Sequence, residues 1–260
     1  MRIYTWNINS IRARTDRLLD WLQSRQPDVV CLQELKCTDA QFPAAELEAA
    51  GYRAAWFGQP TYNGVAILAR PPLELTDVAR GLEDGGPGED QARVIRATVA
   101  GVRLVCLYAP NGQAVGSAAY EYKLDWYQRL RRVLDTHARP TDQLLLAGDF
   151  NVAPDERDVW DPVLWEGQTL FSRPERDALQ HLIGFGLIDS FRMYHDEAGR
   201  FSFWDYQQLG FPRNHGLRID HLLASRPLAE RITAADIDRE ARKGKKPSDH
   251  APVWIELGQA

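Results

Sequence analysis

Cysteine is scarce in this sequence, and it never occurs at short paired spacing. Cys31, Cys37 and Cys106 form no C-x-x-C motif, and their odd number speaks against a disulfide framework. Neither these cysteines nor the six histidines fall at familiar zinc spacings, so no structural zinc is expected. Long hydrophobic runs are missing too. The opening MRIYTWNINS places Asn7 and Asn9 where a signal peptide needs its apolar core, and no later window is apolar enough to cross a bilayer. The expectation is a soluble cytoplasmic protein with free thiols and no membrane contact. G-x-S-x-G, Walker A and G-x-G-x-x-G are absent, which removes support for a nucleophile-elbow hydrolase and for the familiar nucleotide folds. A positive excess is lacking as well: 31 Lys+Arg against 36 Asp+Glu give a net charge of −5, so bulk charge does not suggest a polyanionic partner.

What is present is an ordinary globular composition, 44% hydrophobic and 26% charged over 260 residues, enough for one large α/β domain spanning residues 1–260. Fifteen prolines and nineteen glycines show no period, against repeat or low-complexity architectures. Charge is unevenly spread. REARKGKK at 239–246 is basic and could meet phosphates, whereas EDGGPGED at 83–90 is acidic and reads as a hairpin tip.

Strands are expected where β-branched and aromatic residues concentrate: 2–8, 28–33, 52–57, 64–69, 92–99, 102–108, 143–147, 218–224, 231–238 and 251–257. Leu18, Leu19 and Leu22 mark a helix over 14–25. Tyr120, Leu124, Tyr127, Leu130 and Leu134 mark the longest one, over 117–137. The near alternation of strands and helices implies sheets covered by helices, and the pair around Ala100 and Gly101 looks antiparallel, so the sheets should be mixed. Residues 152–175 read as a surface loop framing a site.

Polar residues recur where the apolar strands end: Asn7, Glu34, Tyr108, Asp149 with Asn151, Asp220, and Asp249 with His250. Carboxylates gathered at strand ends repel one another and lose hydration, so they need protons, partners or a cation. Glu34, Asp149, Asp220 and Asp249, with the amides of Asn7 and Asn151, are a hard oxygen set that suits Mg²⁺ or Mn²⁺. Acids that hold a dication, a histidine beside an aspartate, a tyrosine and neutral amides together describe hydrolysis of a phosphate ester.

These pieces, WNINSIRAR, PDVVCLQELK, NGVAIL, YAPNG, LAGDFNVAP, GLRIDHLLAS and KPSDHAPV, run in order along the whole chain. In that order the sequence resembles the exonuclease III-type apurinic/apyrimidinic endonucleases of the endonuclease/exonuclease/phosphatase superfamily. The resemblance implies a fold of two packed mixed β-sheets flanked by helices, a four-layer α/β sandwich. It implies Glu34 as the principal metal ligand, assisted by Asn7 and Asp249. Asp220 and His250 would form the family's Asp-His pair, and Asn151 and Tyr108 would contact the scissile phosphate. Asp149 and the Asp220–His250 pair both stand as candidate bases. Asn9 occupies a position where some relatives have Asp, which weakens a second metal site.

The substrate implied is duplex DNA with abasic sites or damaged 3′ ends, acted on by a monomer. A baseless sugar would enter an apolar pocket lined by Phe203, Trp204, Leu217 and Ile219, a step that requires no base to be unstacked. Arg218, Lys36 and Asn111 would meet phosphates or backbone. Three alternatives share this sequence: a 3′-phosphodiesterase or 3′-to-5′ exonuclease that cuts abasic sites weakly, a non-catalytic nucleic-acid-binding protein on the same fold, and a phosphatase or phospholipid hydrolase. The intact set of acids and His250 disfavours the second, and the missing membrane-seeking segment disfavours the third.

Overall fold

Alternating side chains along each strand decide how this chain layers. A computed structural model describes residues 1–258. In it β1 (Arg2–Asn7), α1 (Thr15–Arg25) and β2 (Val29–Gln33) are followed by α2 (Ala44–Ala49), β3 (Arg53–Phe57) and β4 (Val65–Ala69). The middle of the chain forms β5 (Thr76–Arg80), β6 (Val94–Val99), β7 (Val102–Tyr108), α3 (Ala118–His137) and β8 (Leu144–Asp149). Next come α4 (Pro162–Trp165), α5 (Arg173–Ile183), β9 (Leu187–Asp189), α6 (Gly210–Arg213), β10 (Asp220–Ser225), α7 (Arg226–Ala229), β11 (Ile232–Ile237) and β12 (Val253–Leu257).

The strands make two six-stranded sheets, ordered β11-β12-β1-β2-β4-β3 and β5-β6-β7-β8-β10-β9. Each has one parallel pair near its centre, β1 with β2 and β7 with β8. In β1, Ile3 faces the core between the sheets, while Tyr4 and Trp6 turn outward onto Leu18, Trp21 and Leu22 of α1. In β8, Leu145 and Ala147 face inward, while Leu144 and Leu146 pack beneath Trp126, Tyr127 and Leu130 of α3. Helix, sheet, sheet and helix therefore form four layers, as the resemblance implied.

Two strands, β5 and β9, and five helices, α2, α4, α5, α6 and α7, were not expected. Short β5 and β9 sit on the outer edges of the second sheet. The segment 152–175 is not loop throughout, because Ser172 and Glu175 form a capping box that starts α5 at Arg173. The acidic 83–90 stretch does join an antiparallel pair, β5 with β6, and Arg129 of α3 grips Asp84 with two 2.6 Å hydrogen bonds. Cys31, Cys37 and Cys106 are free and buried. Among the described residues no helix is long and apolar enough to cross a membrane.

This topology creates a shared rim. The parallel pairs run the same way in register, so β1 and β2 end side by side at Asn7 and Gln33, and β7 and β8 end side by side at Tyr108 and Asp149. Antiparallel β10 begins opposite, with Asp220 paired to Asp149.

Candidate active site

Asn7, at the end of β1, ties the two sheets together: its amide nitrogen donates to Glu34 Oε1 at 2.8 Å and to Asp149 Oδ2 at 2.9 Å. Behind Asp149 stands His250, whose Nδ1 is 2.8 Å from Asp220 Oδ2 and whose Nε2 is 3.8 Å from Asp149 Oδ2. Phe203 covers the imidazole, with ring centroids 4.9 Å apart. Asn151 turns back after β8. Its backbone N–H donates to Asp149 Oδ1 at 2.9 Å, and its side-chain oxygen accepts from Asn111 Nδ2 at 3.2 Å. On the other flank, Lys36 Nζ lies 2.6 Å from Glu34 Oε2 and donates to Asn9 Oδ1 at 2.7 Å, and Asn9 Nδ2 donates to Asp249 Oδ1 at 2.9 Å.

The backbone here is held under strain. Asn9, Glu34, Lys36 and Asn151 have φ of 47°, 52°, 51° and 52°. That left-handed region costs non-glycine residues on the order of 1–3 kcal/mol each and persists only where surroundings enforce it. Gly148 shows how close the enforcement is: a Cβ there would collide with the Leu107 carbonyl on β7.

Burial pushes the Asp149 carboxyl up, and despite the opposing pull of His250 and the Asn7 hydrogen bond it settles at about 7. At His250 burial disfavours the charged ring, but the carboxylates of Asp220 and Asp149 outweigh it and lift the imidazole to about 10. Burial also opposes ionisation of Glu34, and there the Lys36 ammonium and Asn7 amide prevail, so Glu34 titrates below its usual value. The Tyr108 hydroxyl is held well above its usual range by burial and by the nearby Glu34 and Asp149 charges.

Asp149, Asp220 and His250 lie close enough for one atom of each to reach a shared cation. The short bond between His250 and Asp220, and the protonated ring that it stabilises, make this trio a proton-handling unit first. Glu34 and Asp249, joined through Lys36 and the Asn9 amide, are hard oxygen donors of the kind that suit a divalent cation, and the Lys36 ammonium already shows that positive charge is favoured beside Glu34.

Several expected residues are placed otherwise. Arg218 is fully buried, ion-paired with Asp158 at 2.6 Å and Asp189 at 2.8 Å, so it cannot meet a phosphate. Asn7 directs its nitrogen at the acids while its oxygen accepts the Asn9 backbone N–H at 3.0 Å, so its amide bridges Glu34 and Asp149 through the nitrogen. Trp204 is buried and packs into the core between the sheets, donating to Asn214 Oδ1 at 3.2 Å. Leu217 and Ile219 are each 1% exposed, closed into a cluster with Val159, Leu170 and Phe171 from the 152–175 segment. Of the four expected pocket residues only Phe203 is partly open. Lys36 is half-buried and engaged with Glu34, whereas Asn111 is exposed, its side-chain nitrogen on Asn151 and its oxygen accepting the Gln113 backbone N–H at 3.1 Å.

Two positioning residues went unnoticed in the sequence. Ser202 Oγ donates to Asp220 Oδ2 at 2.6 Å while accepting the Ile219 and Asp220 backbone N–H groups, and Lys123 lies buried under the two asparagines. A serine among aromatics and a lysine in an amphipathic helix give no such signal. Along the rim, α1 and the 239–246 segment enclose a cleft of about 660 Å³ whose walls include Arg12, Arg14, Arg17, Lys243, Lys245 and Lys246.

A two-sheet sandwich with buried acids, an imidazole and neutral amides on one rim has the groups a hydrolase uses for acid-base and electrostatic catalysis. The chain belongs to the Endonuclease/Exonuclease/phosphatase family, which it matches over residues 4–250. It is 36% identical to exodeoxyribonuclease III of Haemophilus influenzae, over 99% of this chain and 100% of that one. It is similar in structure to a 3′ phosphatase, NExo, from Neisseria bound to a product DNA hairpin, with 40% identity, TM-score 0.93 and full coverage of both chains. An AP endonuclease from Archaeoglobus fulgidus superposes with TM-score 0.94 at 35% identity, covering 99% of each chain.

Proposed function

We propose that this chain is a Mg²⁺-dependent DNA repair phosphodiesterase, cleaving 5′ to abasic sites and trimming blocked 3′ ends of duplex DNA by water attack. One observation carries the reading. Asp149 sits between the Asn7 amide and the His250 imidazole, beside Glu34, with Asn151 two residues on and Tyr108 on the neighbouring strand. Relatives named as exodeoxyribonuclease III, as an AP endonuclease and as a 3′ phosphatase support the same chemistry.

In this scheme Glu34 holds the dication, with Asp249 across Asn9. When bound, Mg²⁺ or Mn²⁺ neutralises charge on the phosphoryl oxygens and the leaving group. Asp149 orients the attacking water and takes its proton, while the His250 ring, protonated and held by Asp220, faces it as a cation. The Asn151 amide and Tyr108 hydroxyl hold nonbridging oxygens as negative charge builds. Ser202 fixes Asp220, which in turn fixes the ring of His250. The cleft beside α1, lined by more basic than acidic side chains, would offer phosphates a track and offset the net negative charge locally. The chain would act as a single catalytic domain, as a monomer, in the cytoplasm, where its three free thiols stay reduced.

The deciding experiment is a gel assay of an abasic duplex, a 3′-phosphate nick and undamaged duplex, each with and without Mg²⁺. Metal-dependent cleavage of either damaged substrate in preference to the intact one is expected; no cleavage of any substrate would overturn the reading. A second reading, a 3′-end specialist with weak abasic incision, draws on the closed cluster around Leu217 and Ile219. In the same gel it would show 3′-phosphate removal far outpacing incision.

A further inference from the structure

We propose that the buried Lys123–Glu175 ion pair is a positioning device that aims Asn111 and Asn151 at the scissile phosphate, an inference that rests on the function proposed above. Lys123 on α3 and Glu175 in the first turn of α5 both have side chains that are 0% exposed, so neither touches a substrate. An ammonium has three protons to place. One goes to Glu175, and the others go to the backbone carbonyls of Asn111 at 3.0 Å and Asn151 at 2.6 Å.

Those carbonyls belong to two different loops, one after β7 and one after β8, and a single nitrogen fixes both. The side chains of the same two residues meet at 3.2 Å above it. Asn151 sits in the left-handed region, and its backbone N–H holds Asp149, so the direction of its carbonyl and the place of Asp149 are linked. Gly112, between the loop and α3, leaves no slack: a Cβ there would lie 3.0 Å from Lys123 Cδ.

Glu175 is equally committed. Its Oε1 also accepts the Leu170 N–H at 3.0 Å and its Oε2 accepts the Ser172 N–H at 3.1 Å, while Tyr120 OH lies 2.6 Å from Ser172 Oγ. The ion pair therefore joins both asparagine loops to α5 and to Leu170, which helps close the Leu217–Ile219 cluster. Packing alone does not call for charge here, because well-packed apolar residues commonly match or exceed a buried ion pair in stability. What an apolar pair cannot supply is a fixed direction for two carbonyls.

Two variants test this. Lys123→Met with Glu175→Gln removes both charges at similar volume. Lys123→Arg keeps the pair with Glu175, but its planar fork cannot aim at the same two carbonyls. Each is expected to lower kcat for removing a 3′-phosphate from a DNA hairpin about 10- to 100-fold with KM little changed. Each is also expected to shift the Asn111 and Asn151 side-chain amide signals in ¹⁵N NMR of the metal-free protein. A folded variant of either kind with wild-type kcat and unmoved amide signals would overturn the proposal. If neither variant folds, the wild-type Lys123 ammonium decides: slow proton exchange supports the clamp and rapid exchange refutes it. A wild-type chain that leaves the hairpin uncut counts against the proposed function, and the metal-free amide and ammonium signals still judge the clamp.

Discussion

His250 places its two ring nitrogens on different carboxylates, Nδ1 at 2.8 Å from Asp220 and Nε2 at 3.8 Å from Asp149. One ring therefore couples two buried acids, hydrogen-bonded to Asp220 and facing Asp149 at ion-pair distance. His250→Asn keeps a polar side chain but no titrating group. It is expected to lower kcat by about 100-fold or more while leaving DNA binding near wild type. Single-turnover rates alongside a direct binding measurement check this, and lost binding would make His250 structural.

Stability should depend on pH in a direction set by the same pair. Asp149 is raised from 3.8 to about 7 and His250 from 6.5 to about 10. A raised group contributes stability that is full below its unfolded pKa and is lost as pH climbs through its folded one. The metal-free protein should therefore weaken as pH rises across both windows. Glu34, which is lowered, contributes in the opposite sense and loses its share on acidification. Denaturant melts at a series of pH values should show a flatter decline toward neutrality in Asp149→Asn than in wild type; parallel curves would refute the assignment.

Glu34→Gln keeps the size and shape of the side chain but removes the charge that Lys36 faces at 2.6 Å. The Mg²⁺ concentration for half-maximal cleavage should rise and the maximal rate should fall. An unchanged Mg²⁺ titration would remove Glu34 from the ligand set.

Arg218→Ala separates a structural arginine from a DNA-binding one. It leaves Asp158 and Asp189 buried without their guanidinium, a loss of about 3–5 kcal/mol for a broken buried pair. Thermal melting should drop markedly. If the variant melts like wild type and only its DNA affinity falls, the buried role is wrong.

Leu170 adopts a φ of 78° within the cluster that shuts in Leu217 and Ile219. Leu170→Gly suits that backbone and removes part of the cover. Abasic incision should rise relative to 3′-phosphate removal, as measured on the two substrates in parallel. An unchanged ratio would mean that this cluster does not govern lesion choice.

The sheets were largely legible, because DVVCLQ, VRLVCLY and LLLAG are apolar runs bounded by polar ends, and those ends proved to share one rim. Strands β5 and β9 were not, since TDVAR is mostly exposed and LID is only three residues long. The gathering of Glu34, Asp149, Asp220 and His250 could be foreseen from strand ends alone. Arg218 could not be assigned, because its two aspartates lie 60 and 29 positions away, and sequence does not distinguish a solvated guanidinium from a sequestered one. Within the expected pocket, nothing in FSFW announces that Trp204 turns inward while Phe203 stays at the rim.

Each half of the sandwich holds only part of the chemistry, with Asn7 and Glu34 from one sheet and Tyr108, Asp149 and Asp220 from the other. His250 follows all of them along the polypeptide, just ahead of β12, which zips onto β1. A chain emerging from the ribosome would thus lack part of this residue set until the stretch just before β12 has been made.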